Sequence, residues 1–377
     1  MKKILVAAFA CIMLFAFCGR QAVEPMFEPY VIENLEPRAD FWKVRVGEID
    51  SLCRSVSRGR AEVVARTPLG YPVWAVFYGD FSKPEPQTNF SAGNSSSALT
   101  AYTGGDDGIQ TILFAAGVHG SEPESVASAV NMIKMLETGT DFRGVADEEF
   151  LELVSHYRFI IMPCVNMDGR SISPDHFRGQ PYEIFRGCSQ GWWKDGSLVG
   201  WRGSKEWFPL PLDKVQYPGG YPNSQGYNIQ HDAAPGDMKT EEAKTVCRLM
   251  ARYRVDFFLN GHSCEYDNFI IPPSAVNPPQ LLQTGSILCE KMHQAFFEAG
   301  LQKEFKNPTK CSNTYNLTSL AAWCSGGLGL TLECCHCCGN QQGIEFIYSF
   351  EEMMQPAFIA LKTAMRYGLE NDFACRK

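Results

Sequence analysis

Four uninterrupted apolar runs constrain the fold of this 377-residue chain more than any other feature of its sequence. They are TILFAAG at 111–117, RFIIMPCV at 158–165, VDFFLNG at 255–261 and LGLTLE at 328–333. Runs of this length without polar alternation are typical of strands that are buried on both faces, as in a largely parallel sheet. Such a sheet requires helices on both of its faces, and the rest of the chain has to supply them.

The segments between and after these runs carry the signals of helices. Three of them begin with Ser or Thr, which favour the start of a helix because the side-chain oxygen accepts a backbone N–H. We therefore predict an α/β fold in which helices cover the sheet. The four predicted helices are SVASAVNMIKMLETG (125–139), TEEAKTVCRLMARYR (240–254), PPQLLQTGSILCEKMHQAFFEAG (278–300) and SFEEMMQPAFIALKTAMRYGLEN (349–371).

The chain ahead of the first run adds a helix and a pair of strands. The pattern of residues 40–57 predicts an amphipathic helix, and 61–67 and 71–80 predict two strands joined by a turn. Residues 82–108 are rich in Ser, Asn, Gly and Thr and predict a loop. We interpret this loop as an insertion into one domain, because the composition of the chain does not change after it in a way that would mark a second hydrophobic core.

The N-terminus, MKKILVAAFACIMLFAFCGRQ, has the layout of a secretory signal. Lysines precede an apolar stretch from Ile4 to Phe17, which is too short and too closely followed by polar chain to span a membrane. We expect a signal peptide at 1–18, a linker at 19–34, export to the periplasm or the exterior, and no transmembrane span beyond the signal. Because Gly follows Cys18, a lipoprotein junction with a lipid anchor at Cys18 is the alternative.

The charge of the chain argues against one class of partner. The net charge is -8, the pI is near 5.5, and the basic residues form no block. Nucleic-acid binding depends on clustered Lys and Arg, so we expect no nucleic-acid partner. The sequence assigns no oligomeric state.

The chain has fifteen cysteines, of which a signal segment ending at Cys18 contains Cys11 and Cys18. An exported protein can oxidise the others, and their odd number leaves at least one thiol unpaired. In ECCHCCG, four cysteines flank His336 too tightly for one tetrahedral metal site, because adjacent side chains of an extended chain diverge. We expect disulfides or packed thiols there.

A residue type with catalytic or metal-binding chemistry follows each apolar run at its C-terminal end. In open α/β sheets, ligand sites form beyond the carboxyl ends of parallel strands, so we expect these residues to share one site. Taken singly, each could be a buried structural residue, and the prediction therefore depends on the set. The set is His119 and Glu122 after the first run, Asn166 and Asp168 after the second, His262 after the third, and Glu333 at the end of the fourth.

Two histidines and a carboxylate form a suitable donor set for zinc. His119, Glu122 and His262 leave the fourth position of a tetrahedral ion open to water, which the ion acidifies. An adjacent carboxylate can accept the proton of that water and pass it to a leaving amine, and Glu333 fits this role. The sequence therefore predicts one Zn²⁺ and the hydrolysis of a peptide or amide substrate.

Four motifs of the chain resemble those of the zinc carboxypeptidases of the carboxypeptidase A type, a family of metallopeptidases. They are GVHGSEPES (117–125), NMDGR (166–170), LNGHS (259–263) and TLE (331–333). The resemblance implies a single-domain, twisted, mixed β-sheet flanked by helices over residues 35–377. It also implies one Zn²⁺ and cleavage of peptide bonds by a metal-activated water, with Glu333 as general base and then acid.

The segment GYNIQHD at 226–232 departs from the family pattern, which reads Gly-x-Asp-x-Asn-Arg-Asn. The resemblance implies that Asn228 orients His119, while Gln230 and His231 stand where an Asn and an Arg bind the terminal carboxylate of the substrate. Histidine cannot make the planar, bidentate grip of an arginine. Either His231 binds the carboxylate as imidazolium, which would weaken binding as pH rises, or no free C-terminus is required. A merely structural His231 is the third alternative.

The resemblance also indicates two further site residues and leaves alternative functions open. Tyr315 stands where the family carries a mobile substrate-contacting tyrosine. Arg178 has a suitable spacing for the oxyanion-stabilising arginine, with Arg186 and Arg202 as competitors. An enzyme without need of a free C-terminus would be an amidase, deacylase or endopeptidase acting on cell-wall peptides. A non-catalytic envelope protein that binds peptides is the alternative from another class.

Overall fold

The computed structural model describes residues 26–82, 88–95, 107–234, 236–307 and 309–374. The predicted signal peptide, Cys18 and the first part of the predicted linker lie outside the described residues, as does most of the predicted loop at 82–108. The described part of the linker contacts the rest of the protein. The Tyr30 ring stacks on Trp192 with 5.2 Å between centroids, and the Tyr30 N–H donates to the carbonyl of Ile172 at 2.9 Å.

The central element of the fold is a seven-stranded mixed sheet with the strand order β1-β2-β4-β3-β7-β9-β8. The inner strands β4, β3, β7 and β9 are parallel, while β1, β2 and β8 add antiparallel edges. The strands are β1 (Arg60–Arg66), β2 (Pro72–Tyr78), β3 (Thr111–Ala116), β4 (Arg158–Met162), β5 (Trp192–Trp193), β6 (Val215–Tyr217), β7 (Phe257–Cys264), β8 (Phe269–Ile271), β9 (Leu328–Cys335), β10 (Gly339–Asn340) and β11 (Gly343–Ile344).

The four apolar runs form the parallel centre of the sheet, as predicted. Every residue of β3 and β4 is buried, because helices pack on both faces. Alternate residues of β3 contribute to two separate cores: Ile112 and Phe114 belong to one, and Leu113 and Ala115 to the other. Full burial of each large apolar side chain stabilises the fold by about 1.5–3 kcal/mol, which explains why apolar residues predominate in these runs.

Helices cover the two faces of the sheet. The helices are α1 (Val46–Ser55), α2 (Phe90–Ser95), α3 (Pro123–Thr138), α4 (Glu148–Ser155), α5 (Met167–Ile172), α6 (Tyr182–Gln190), α7 (Gly200–Glu206), α8 (Glu241–Arg252), α9 (Pro279–Glu298), α10 (Ala321–Ser325) and α11 (Phe350–Gly368). The first face carries α1, α3, α4, α9 and α11, and the second carries α8 and α10. The prediction of helices at 40–57, 125–139, 240–254, 278–300 and 349–371 is confirmed.

The helix starts follow local capping chemistry. Thr240 begins α8 by accepting the N–H of Ala243, and Ser349 begins α11 with a reciprocal capping box that includes Glu352. No helix among the described segments is long and apolar enough to cross a membrane.

The cysteines of ECCHCCG are packed thiols. None of the cysteines in the described ranges forms a disulfide, and Cys334, Cys335, Cys337 and Cys338 are all buried. Nδ1 of His336 lies 2.9 Å from Oε1 of Glu124, and among the described residues His336 and these cysteines do not bring three or more donor atoms together within 4.8 Å. Of the two expectations for this segment, packed thiols are the one that the structure contains.

Candidate metal centre

Gly117 and Gly120 shape the turn that follows β3. Gly117 has a φ of 59°, in the left-handed region that favours glycine. A Cβ on Gly120 would lie 2.1 Å from the backbone nitrogen of Arg170, so the turn can pass α5 only if this residue is glycine. His119 lies within this turn, and Glu122 ends it immediately before α3. The glycines of the motif thus bring both side chains to the carboxyl end of the sheet.

His119, Glu122 and His262 form a tight cluster. Nδ1 of His119 lies 2.9 Å from Oε1 of Glu122, and Nδ1 of His262 lies 2.8 Å from Oε2 of the same carboxylate. The two Nδ1 atoms are 3.2 Å apart. In the parts of the chain that the structure describes, no other group of three or more His, Cys, Asp or Glu brings its donor atoms this close together, within 4.8 Å.

The hydrogen bonds around His119 indicate that its Nδ1 is available to a cation. Oδ1 of Asn228 lies 3.0 Å from Nε2 of His119 and also accepts the N–H of Gln230 at 3.2 Å. The other end of the amide donates to the carbonyl of Ser204 at 3.4 Å. Nε2 of His119 therefore carries the proton, and Nδ1 presents a lone pair to the Glu122 carboxylate. Two such acceptors repel each other unless they share a cation, so the donor set fits zinc.

Burial and charge favour the deprotonated forms of Glu122 and His262. His119, Glu122 and His262 are 3%, 1% and 2% exposed. Burial opposes ionisation of Glu122, but the charges and hydrogen bonds of the two histidines hold the pKa of its carboxyl well below the usual range. Burial also lowers the pKa of His262, against the opposing effect of Glu122. Metal ligands have to be deprotonated, so both shifts favour metal binding.

Glu333 lies beside this cluster. The Cα register pairs it with His262 across β7 and β9, and within β9 it is the one residue that is not fully buried. The desolvated surroundings raise the pKa of the Glu333 carboxyl well above its usual range, and the negative charges of Glu122 and Glu265 raise it further. A divalent cation in the cluster would act in the opposite direction, because it favours the carboxylate.

Arg186 and Glu265 form an ion pair near the cluster. The pair joins α6 to the residue that follows β7, and the Glu265 side chain is 3% exposed. The positive charge of Arg186 partly offsets the rise in the pKa of Glu333 that burial and the charges of Glu122 and Glu265 cause. Sequence reasoning named Arg186 only as a competitor and did not name Glu265. The signal for Glu265 was its position three residues after His262, a spacing like that of His119 and Glu122.

Asn166 connects the NMDGR turn to a residue that contacts the cluster. Its amide nitrogen donates to the carbonyls of Gly220, Tyr221 and Pro222 at 3.3, 3.1 and 3.1 Å. The Tyr221 ring stacks on the His119 ring with 3.8 Å between centroids and an angle of 7°. Asn166 therefore supports the orientation of His119 through this loop. Tyr221 was not predicted, because no local pattern marks it.

The NMDGR turn also fixes the next part of the same loop. Asp168 accepts the hydroxyl of Ser224 at 2.6 Å and the Ser224 N–H at 3.2 Å. The motif thus acts on the site through the 220–224 loop, and its own side chains serve to position that loop.

The three residues of 226–232 that differ from the family pattern lie in different surroundings. Asn228 contacts His119, as described above. Gln230 is 5% exposed, and its Oε1 accepts from Asn260 at 2.8 Å while its Nε2 lies 3.5 Å from Oγ1 of Thr318. Both ends of the Gln230 amide therefore belong to a hydrogen-bond network between β7 and the 3₁₀ helix at 317–320.

His231 is neutral in this structure. Burial lowers the pKa of His231 to about 3, and the charges of His119, Lys205 and His262 act in the same direction. Its Nε2 is buried and has no hydrogen-bond partner among the described residues. An imidazole with this pKa carries no charge at neutral pH, so the first of the three alternatives for His231 lacks support.

Arg178 has partners other than the cluster, and Tyr315 is exposed. Arg178 donates from Nε to the carbonyl of Tyr348 at 2.7 Å and forms an ion pair with Glu36. The Tyr315 side chain is 42% exposed in the loop before the 3₁₀ helix at 317–320. Among the candidates, the structure thus brings His119, Glu122, His262, Glu333 and Asn228 together and gives Arg178 a different partner.

The comparisons with known proteins agree with this geometry. The family model described as zinc carboxypeptidase matches residues 89–281, a range that contains all three residues of the cluster. No curated protein has a significantly matching sequence.

Solved structures of low sequence identity share the fold. A metallo-carboxypeptidase from Burkholderia cenocepacia is 14% identical with a TM-score of 0.51, over 86% of this chain and 69% of that chain. Carboxypeptidase A from Helicoverpa armigera is 15% identical with a TM-score of 0.51, over 88% and 74%. Bovine thrombin-activatable fibrinolysis inhibitor is 13% identical with a TM-score of 0.52, over 88% and 100%. The predicted single-domain mixed sheet flanked by helices is confirmed.

Proposed function

Since this chain belongs to the zinc carboxypeptidase family and is a metallocarboxypeptidase-like hydrolase, we propose that it cleaves amide bonds at the cluster of His119, Glu122 and His262. The observation that carries the proposal is the arrangement of three metal-binding side chains with donor atoms within 4.8 Å of one another, with Glu333 on the adjoining strand. The family implies one Zn²⁺, and these three residues would hold it.

Glu333 is the proposed general base and acid. Zinc supplies Lewis-acid polarisation of the scissile carbonyl and acidifies water. The Glu333 carboxylate then accepts a proton from the attacking water and delivers it to the leaving nitrogen. Its desolvated surroundings suit this task, because they raise its pKa and stabilise the protonated form between the two transfers.

Arg186 is the proposed oxyanion-stabilising residue, in preference to Arg178. Its guanidinium is close enough to Glu333 to lower the pKa of that carboxyl, whereas Arg178 is engaged by Glu36 and the Tyr348 carbonyl. The ion pair with Glu265 holds the guanidinium in place before the substrate binds. A positioned cation contributes most where negative charge develops in the transition state, in a water-excluded site.

Amidase, deacylase or endopeptidase activity is the second candidate function. The lowered pKa of His231 favours it, because an uncharged imidazole supplies no positive charge for a terminal carboxylate. The retained Glu333 argues against a protein that only binds peptides, because a pure binder has no use for a general base. We further propose residues 35–377 as the catalytic domain and 1–18 as an export signal.

The test measures zinc content and activity together. We expect the purified protein to carry about one zinc per chain and to cleave a peptide panel. Glu333→Gln should retain the zinc while kcat falls by about 10²–10⁴-fold, the usual contribution of general acid–base catalysis. Glu304→Gln, a change at an exposed glutamate, is the matched control. A native protein without zinc, or Glu333→Gln with native activity, would contradict the proposal.

A further inference from the structure

His336 is a buried histidine that the proposed reaction does not use. It lies immediately after β9, three residues beyond Glu333, and its Nδ1 lies 2.9 Å from Oε1 of Glu124 in the first turn of α3. Both side chains are 0% exposed. Oε2 of Glu124 and Nε2 of His336 have no hydrogen-bond partner within the described parts of the chain. The hydrogen bond between the two side chains therefore offsets much of the cost of burying them.

The backbone and the ring of His336 contact two further elements. Its N–H donates to the carbonyl of Cys264, the last residue of β7, at 2.9 Å. Its ring meets the ring of Phe185 in α6, with 4.8 Å between centroids. The guanidinium carbon of Arg186 lies 5.1 Å from the centroid of the same phenyl ring. One phenylalanine thus contacts both His336 and the proposed oxyanion-stabilising arginine.

These contacts connect all of the elements that carry the proposed hydrolytic groups except the turn of His119. Glu122 directly precedes α3, β7 contains His262, β9 contains Glu333, and α6 contains Arg186. His336 continues the chain of β9 and contacts the other three elements. A displacement of this residue would therefore move Glu333 relative to the metal ligands and to the guanidinium.

The packing around α3 leaves little room to absorb such a displacement. Oγ of Ser125 lies 3.8 Å from Sγ of Cys334, the residue after Glu333. A Cβ on Gly261, the residue before His262, would lie 2.5 Å from the same Oγ. The first turn of α3 thus packs directly against β7 and β9. In an interior this close-packed, a change at the contact between Glu124 and His336 is transmitted to its neighbours.

We propose that His336 is a positioning residue, which through its hydrogen bond to Glu124 holds Glu333 where proton transfer at the metal centre requires it. The inference rests on the proposed function and adds to it a residue outside the cleft. His336 acts through Glu333, because a side chain without exposed surface does not touch the substrate. A displacement of about 1 Å can lower a rate by about 10²-fold, since the reacting groups have to lie within hydrogen-bond reach.

The test compares two substitutions at His336 in the zinc-loaded enzyme. His336→Leu removes the donor to Glu124, and we expect kcat per zinc-loaded site to fall by about 10–100-fold while KM changes by less than about threefold. His336→Asn keeps an N–H near the position of Nδ1 and should restore most of kcat. If His336→Leu does not fold, the double variant Glu124→Leu/His336→Leu replaces it, because it leaves no unpaired carboxylate in the interior.

The matched control is His293→Leu, another loss of a buried histidine. His293 lies in α9, is 2% exposed, and its Nδ1 accepts from Gln302 at 3.0 Å. This variant should lose stability, measured as Tm, but keep the native kcat per zinc-loaded site. A native kcat in His336→Leu, or an equal fall in His293→Leu, would overturn the role of His336.

A second measurement does not depend on turnover. A peptide phosphonate has a tetrahedral phosphorus that resembles the tetrahedral intermediate, so its affinity reports how well the site fits the transition state. Calorimetry should show that His336→Leu weakens phosphonate binding by about the factor lost in kcat/KM, and that His293→Leu does not. A native protein that holds zinc and binds the phosphonate but cleaves no peptide would refute the proposed function, and the phosphonate constants alone would then decide on His336.

Discussion

The metal cluster and the 226–232 loop differ in what holds their side chains. The cluster residues lie at the ends of β3 and β7 or in the turn into α3, where the sheet fixes the backbone. The loop takes its surroundings from α7, from the 3₁₀ helix at 317–320 and from β7, which meet only in the folded protein. The proposed hydrolytic residues therefore lie on the sheet, while the residues proposed to contact the substrate lie on loops, which vary more in sequence than strands do.

The largest effect is expected from a change to the sheet-built region. His262→Asn removes one of three protein ligands, so we expect zinc content to fall from about one per chain to near zero and activity to fall by at least about 10³-fold. Metal analysis and a peptide-cleavage assay check this, with circular dichroism to verify folding. The exposed His156→Asn is the matched control. Full zinc retention in His262→Asn would show that the ion is bound elsewhere.

A smaller effect is expected at Asn228, which lies in the loop but contacts the cluster. Asn228→Ala removes the acceptor of the His119 Nε2–H, and we expect zinc affinity to fall by about 10–100-fold. Asn228→Asp restores a charged acceptor, which raises the basicity of the ligand, and should bind zinc more tightly than the native protein. Competition with a chelator measures both constants. Equal zinc affinities for the native protein and both variants would show that Asn228 does not influence the metal centre.

The smallest effect is expected from His231→Gln. Because the pKa of His231 is lowered to about 3, the imidazole is neutral throughout the range from about pH 5 to pH 8 and protonates only in stronger acid. We expect the variant to keep the shape of the pH profile of kcat/KM in that range and to lose less than about fivefold in rate. If a native inflection near pH 6–7 disappears in His231→Gln, the histidine does act as imidazolium and the assignment of an uncharged His231 is wrong.

The sequence predicted the parallel centre of the fold because burial on both faces leaves a direct signal. Unbroken apolar runs identified β3, β4, β7 and β9, and their ends pointed to His119, Glu122, His262 and Glu333. The edge strand β8 was missed, because three residues are too few to show a period. The short helices α4 to α7 were missed for the same reason, although Asp147 does cap α4.

The remaining site residues could not be predicted because their positions depend on the path of loops. Arg178 and Arg186 have comparable spacings from the NMDGR turn, and only the fold shows that Arg186 pairs with Glu265 near Glu333. Gln230 looked available to substrate, but its amide is occupied within the protein.

The hydrogen bonds from Asn166 to three backbone carbonyls bear on how the protein binds its metal ion. These hydrogen bonds fix the loop that carries Tyr221, and the Tyr221 ring keeps the imidazole of His119 facing Glu122. None of these contacts involves the ion itself. These contacts can hold the loop and the His119 ring through protein groups alone, and we therefore expect a chelated sample to regain its zinc without refolding.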